Sequence, residues 1–441
     1  MIAVWLAALA AFGGAIEDEA RAPDAVTAYR GVHVIDVETG VTASDRVVIV
    51  DGERIAAVLD DEAGALPPGA VIVDASGLYV IPGLVDAHVH LATPPDRPRA
   101  EASLRRQLYA GVVAVRSMAD DVRQVADLAR ASHAGEIDAP DIHYAALVAG
   151  PGFFDDPRTI AVTRGARPGD APWMQALDDD TDLELAVAVA RGTSASGLKI
   201  YADLPARLVS GVAREARSQG MAVWAHAMVF PALPSEVASF DVDVASHACY
   251  LGYQAMEERP DLYRNRFPVD AGLFGEEAHP ALAPVFERMA SNGIVLDATL
   301  RVHREAERRH EMGASLVPPF CTAELAGLLT AHAAAAGVVI AAGTDGDTHP
   351  ENPWPALHEE LALLSDHAGM SPAQAIRAAT SGGAAALGVP EDLGAVEPGR
   401  LASLVFLREN PVENLDNLSS VAFVLKRGRR HDREDYEAQR R

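Results

Sequence analysis

Lysine is almost missing from this chain. Of 37 basic residues in 441, only Lys199 and Lys426 are lysines, which leaves 35 arginines, so arginine serves nearly everywhere a cation is wanted. Cysteine is equally scarce. Cys249 and Cys321 cannot build a disulfide framework, neither sits in a C-x-x-C pattern, and the pair leaves the redox compartment open. Basic charge is in deficit: 37 against 63 acidic residues gives a net charge of −26, which argues against nucleic acid or an anionic membrane as partner and otherwise reads as a self-repelling surface with no message about the small-molecule substrate. No G-x-x-x-x-G-K-[ST] or G-x-G-x-x-G is present, so nucleotide use has no support. GTSASG (192–197) lacks the last glycine of G-x-S-x-G and precedes a strand, and LHEEL (357–361) is not H-E-x-x-H.

The first fifteen residues, MIAVWLAALAAFGGA, carry no charge and end on small residues, as a secretory signal does, although no Lys or Arg precedes the apolar run. The expectation is a signal peptide over 1–15 and a periplasmic or secreted protein, with the cytoplasm as the alternative. That run is shorter than a membrane span requires, so no membrane segment is expected in the mature chain. A homo-oligomer is left open.

What the chain does have is punctuation. Residues 28–80 read as short strands separated by Thr-Gly, Asp-Gly and Ser-Gly turns, and 388–428 return to the same style. Between them, 81–387 alternate short apolar runs with longer helical ones, the signature of parallel βα units. Candidate strands fall at 84–91, 112–117, 141–147, 197–201, 221–227, 242–248, 293–300 and 338–346. Eight is the number a closed β/α barrel needs. The predicted fold is therefore α/β: a (β/α)8 barrel inserted in a small β-sandwich domain formed by the N- and C-terminal segments. A charged tail is expected over 429–441. Helix signals support the frame: Ser371-Pro372 with Gln374 forms a capping box, and Thr322 and Gly337 bracket another helix. The turn-rich, acidic stretch 149–182 has the composition of a loop over a barrel mouth.

Polar residues gather at the ends of these strands. In GLVDAHVHL (83–91), His88 and His90 alternate onto one side of a strand, roughly 6–7 Å apart, close enough for two imidazoles to share a metal ion. Lys199 falls on the fourth strand, His226 ends the fifth, His247 ends the sixth, and Asp345 follows the eighth in GTDG. In a β/α barrel this rim is where chemistry is assembled. Asp86 points the same way and reads either as a support for the histidines or as a turn residue. Lys199 has its own logic. Unlike arginine, a buried lysine can lose its proton, and the neutral amine can take up carbon dioxide as a carbamate able to bridge two metals. The plainer alternative is a snorkelling or ion-paired lysine. His143, Tyr201, Tyr250, Arg301 and His303 lie near strand ends as candidate substrate contacts.

With VIPGLVDAHVHL (80–91), GVVAVRSM (111–118), GLKIY (197–201), VWAHA (223–227), SHA (246–248), AAGTDG (341–346), MSPAQAIRAATSGGAAALG (370–388) and GAVEPGRLASLVFL (394–407) in order, the chain resembles the amidohydrolase superfamily. Within it, the imidazolonepropionase-like and Xaa-Pro or Xaa-Arg dipeptidase-like metal-dependent hydrolases match best. The resemblance implies two divalent ions, usually Zn2+: His88, His90 and Asp345 on one, His226 and His247 on the other, bridged by carboxylated Lys199 with a hydroxide between them. Asp345 would be the proton carrier. It implies cleavage of an amide C–N bond in a dipeptide, acyl-amino acid or cyclic amide. A lactonase, esterase or phosphotriesterase is the rival on the same site, and a non-catalytic metal-binding protein the second. If Lys199 is not carboxylated, a mononuclear site of His88, His90, His226 and Asp345 remains, with His247 freed for substrate. Two departures from the family text, Arg116-Ser117 and Ala402-Ser403-Leu404, lie outside the six ligands.

Overall fold

The computed structural model describes residues 25–61 and 66–437. The expected signal peptide over 1–15 lies outside them, and no helix among the described residues is long and apolar enough to cross a membrane.

Eight parallel strands form the barrel: Leu84–Val89, Val112–Ser117, Asp141–Ala149, Gly197–Ile200, Ala222–His226, Val244–Ser246, Val295–Asp297 and Ile340–Ala341. They are apolar and buried over nearly their whole length, as strands covered by helices on one side and filled by side chains on the other must be. Each is hydrogen-bonded to the next from first to eighth. The eighth returns to the first through Ala87 N to Ala342 O at 2.9 Å and Asp345 N to His88 O at 2.8 Å. Trp224, wholly buried, fills the interior among Ala87, Met118, Ala145, Val244 and Val295. Helix Ser381–Leu387 brings Ala385 and Ala386 into that cluster and so closes the N-terminal end of the barrel. This leaves the C-terminal end for polar chemistry.

The remaining segments meet in one mixed sheet of eight strands. Thr27–Ile35 pairs with Thr42–Asp51, Val71–Asp74 and Tyr79–Pro82, and Tyr79–Pro82 pairs with Leu404–Leu407 of the C-terminal segment. The sheet rolls until its edge strand Arg54–Asp60 meets Leu401 through a bridge at Arg54, enclosing Tyr29, Phe406 and Phe423. One boundary differs from the sequence expectation. Arg429–Asp432, assigned to the charged tail, is an antiparallel strand on Val421–Lys426. Its charged side chains suit an edge position, which is why its composition reads as a tail.

Candidate metal centre

Local irregularities at the strand ends aim the site. On the first strand, Asp86 to Val89 spans three residues where its neighbour, Val115 to Ser117, spans two; this bulge turns His88 toward the axis. His247, Thr299 and Asp345, which follow the sixth, seventh and eighth strands, all have positive φ (73°, 54° and 46°). Left-handed backbone is costly for such residues, above all for β-branched Thr299, and occurs where surrounding structure enforces it. Gly343 fits here because a side chain would collide with both Asp297 and His88.

These turns bring the predicted ligands into one cluster. Asp345 Oδ1 lies 3.0 Å from His90 Nε2 and 3.7 Å from His88 Nε2, and its Oδ2 lies 3.9 Å from His247 Nδ1. The ligand atoms of His88, His247 and Asp345 all fall within 4.8 Å of one another. Ring centroids are 5.0 Å apart for His88 and His247 and 4.8 Å for His247 and His226, so His247 bridges the two halves of the site. Lys199 is wholly buried beneath them, its Nζ donating to Ser246 Oγ at 3.1 Å.

The site divides charged from neutral imidazoles: burial opposes a charge on His90, but the Asp120 and Asp345 carboxylates raise it to about 10, whereas burial lowers His88, His226 and His247. Burial, reinforced by the nearby Arg116 cation, lowers Lys199 to about 7, so a neutral amine is accessible near neutral pH. Burial likewise pushes His226 and His247 well below the usual imidazole range, which favours their neutral, metal-ligating forms. Asp345 is ionised: burial raises its pKa, but the surrounding histidines outweigh burial and hold it below the usual carboxylate range. The donor set of four imidazoles, one carboxylate and one lysine therefore fits divalent ions. One buried ring nitrogen, His226 Nδ1, has no hydrogen-bond partner and is free to take one, while His90 turns Nε2 toward Asp345 and Nδ1 toward Asp120.

Two acids behind the ligands were not anticipated. Asp297, fully buried on the seventh strand, accepts from His88 Nδ1 at 2.7 Å and from Arg116 Nη2 at 2.9 Å. Burial opposes its ionisation, yet His88 and Arg116 lower it to about 2. Because an ionised carboxylate only accepts, the His88 proton sits on Nδ1 and Nε2 keeps its lone pair for the site. Arg116 is in turn fixed by the carbonyls of Ala87 (2.7 Å) and Ala386 (3.3 Å) and lies 5.0 Å from the Trp224 ring centre. Asp120 accepts from Leu91 N, Ala92 N and Ser117 Oγ and lies 3.8 Å from His90 Nδ1. Asp86, in contrast, braces the GTDG turn by accepting from Thr344 N at 3.1 Å and Thr344 Oγ1 at 2.8 Å.

Removing Asp297 strands a buried guanidinium, a loss of roughly 3–5 kcal/mol for a broken internal ion pair. Asp297→Ala is therefore expected to unfold at clearly lower denaturant, with Asp297→Asn intermediate. A shift in stability under about 1 kcal/mol would show that Arg116 finds another partner.

The candidate substrate contacts separate. Tyr201 covers His226, with ring centroids 4.1 Å apart, and Tyr250 lies 5.3 Å from both His226 and His247. His303 is buried behind Phe320 (5.4 Å). Arg301 is engaged with Glu359 Oε2 (2.9 Å) and the carbonyl of Asp347 (2.9 Å). His143 does not reach the rim. It pairs with Arg116 four residues before Leu147, the partner of Lys199, and so lies toward the opposite end of its strand near Asp141 and Arg427. The expectation that it lines the pocket is corrected accordingly. The stretch 149–182 does fold over the rim: Phe153, Val162 and Met174 from it, with Leu147 and Tyr201, line a mostly apolar pocket beside His90.

Comparison with known proteins shows what the chain is similar to. The amidohydrolase family model matches residues 287–430. An imidazolonepropionase from Streptomyces avermitilis is 28% identical over 410 residues, covering 88% of this chain and 87% of that protein. A dihydroorotase from Ruminiclostridium cellulolyticum is 42% identical over only 64 residues; the match spans 14% of each protein. In fold, the chain is similar to a Xaa-Pro dipeptidase with bound methionine (TM-score 0.70, 20% identity, 92% of this chain and all of that one). It is also similar to A. niger ochratoxinase (TM-score 0.69, 20% identity, 92% and 95%). The chain itself is a closed β/α barrel with histidine and aspartate side chains gathered at its C-terminal rim. Over residues 287–430, about the last third, the chain is similar to the amidohydrolase family.

Proposed function

We propose that this chain is a metal-dependent hydrolase that cleaves an amide C–N bond in a dipeptide, acyl-amino acid or cyclic amide. The observation that carries the reading is the placement of one ionised carboxylate, Asp345, against His88, His90 and His247, in a barrel whose interior also holds a wholly buried lysine on Ser246. His88, His90 and Asp345 would hold one divalent ion, His226 and His247 a second, and Lys199 as a carbamate would join them, with zinc the expected metal. Bound ions of this kind supply Lewis acidity toward a carbonyl oxygen and lower the pKa of water.

The chain's own residues do the rest. Asp345 accepts a proton from the attacking water and returns it to the departing nitrogen, so that the C–N bond breaks to a neutral amine and a carboxylic acid. Asp297 keeps His88 in one tautomer. Tyr201, Tyr250 and Phe153 narrow the mouth and exclude bulk water.

The test is metal analysis joined to a substrate panel. About two ions per chain and turnover of dipeptides, N-acyl amino acids or cyclic amides, abolished by chelation and restored by Zn2+, are expected. Turnover confined to lactones, esters or phosphotriesters would replace the amide reading, and a metal-replete protein inert on every compound would overturn it.

A further inference from the structure

Arg266, half-buried, lies in the long segment after the sixth barrel strand, and its surroundings are unlike those of the buried Arg116 and Arg301. Arg116 is matched by Asp297, and Arg301 by Glu359. The Nε and Nη1 of Arg266 are buried and have no hydrogen-bond partner, and among the described residues the side chain forms no ion pair. In a chain with 63 acidic residues, an arginine with no such partner among the described residues stands out. Burying an unpaired cation is costly unless an anion completes it.

Aromatic rings hold the guanidinium in place. Its carbon lies 3.4 Å from the centre of the Tyr263 ring, 5.2 Å from Phe320 and 6.0 Å from Tyr250. Tyr263 stacks on His226 at 5.9 Å and 22°, and its hydroxyl lies 3.4 Å from that of Tyr201. The cation therefore stands one ring away from the His226 side of the histidine cluster, whereas the pocket of Phe153, Val162 and Met174, mostly apolar but with Arg158 in its wall paired to Asp156, opens beside His90. Its field is felt at the site, where it helps to lower both His226 and His303 after burial has done most of the work.

We infer that Arg266 is an anion subsite: it takes a carboxylate borne on the amine side of the scissile bond, while an apolar acyl group packs beside His90. The substrate class is then an N-acyl amino acid, or a dipeptide with an apolar first residue, and not a neutral or cyclic amide. A planar guanidinium fixed against a tyrosine offers N–H donors in set directions to a carboxylate, a geometry that an ammonium cannot copy.

The inference rests on the amide-hydrolase reading, and its test keeps the two apart. Benzoylglycine and benzoylglycinamide differ only in the carboxylate. The metal-loaded wild type is expected to favour benzoylglycine by at least about 30-fold in kcat/KM. Arg266→Met should erase that preference through KM, by on the order of 100-fold, and leave benzoylglycinamide turnover within about twofold; Arg266→Lys should recover part of it. Equal wild-type rates on both compounds, or an Arg266→Met loss falling equally on both through kcat, would overturn the subsite and leave the amide-hydrolase reading standing. If neither compound is turned over, calorimetry decides the subsite alone. Benzoylglycine should bind at least 10-fold more weakly to Arg266→Met than to wild type, and equal affinities would overturn the inference.

Discussion

Asp345→Asn is expected to keep the fold and most of the bound metal but to lose about a thousandfold or more in kcat. The substitution is nearly isosteric, so the barrel core should not notice it. What changes is that a carboxylate oxygen near three imidazoles becomes an amide that cannot carry a proton. General acid–base groups contribute roughly 10²–10⁴-fold, and here one atom pair would both take and return the proton, which places the effect in the upper part of that range. The measurement is steady-state turnover beside metal content and circular dichroism on the same preparation. Turnover within about threefold of wild type would remove Asp345 from proton transfer. A parallel fall in metal and turnover would make it a ligand alone.

Lys199→Ala should be nearly as damaging, for a different reason. Lys199 is sealed in the barrel beside Ser246, with its pKa lowered to about 7, so an uncharged amine that can react with carbon dioxide is present without any helper base. Removing it should take metal content from about two ions per chain to one or fewer and turnover down by about a thousandfold. Acetate or propionate, small enough to occupy the space vacated by the side chain, should restore part of both. Lys199→Arg is expected to fail without rescue, because arginine keeps its proton and fills the space. Near-normal activity in Lys199→Ala would eliminate the bridge.

Much of this arrangement was legible in the text of the chain because strands and barrels obey simple periods. Short apolar runs ending in His226, His247 and the GTDG turn put chemistry at one rim, and the scarcity of lysine singled out Lys199. The barrel and the joining of both chain ends in one sheet followed from the same punctuation. What escaped was side-chain reach. Asp297 sits inside GIVLDATL, where the seventh strand reads as plain core; a lone acid in an otherwise apolar strand was the available signal. Asp120 acts from a loop with no period. His143 was assigned to the correct strand but the wrong end, since nine residues of ladder, Asp141–Ala149, separate its two ends. The bulge that turns His88 toward the axis has no sequence signature here, and Arg266 lies in an aperiodic stretch whose folding depends on the rings around it.

Cys249 and Cys321 are joined in a disulfide that spans 72 residues of sequence. Cys249 follows His247 by two residues, and Cys321 adjoins Phe320, whose ring stacks on Tyr250 at 5.4 Å. A crosslink closing a loop of that length restricts the unfolded chain by about 4 kcal/mol on a loop-entropy basis. It also stitches together two walls of the vestibule that strand pairing alone does not connect. Material made in a reducing cytosol and material oxidised during purification would then share a barrel but differ in how firmly the doorway is framed.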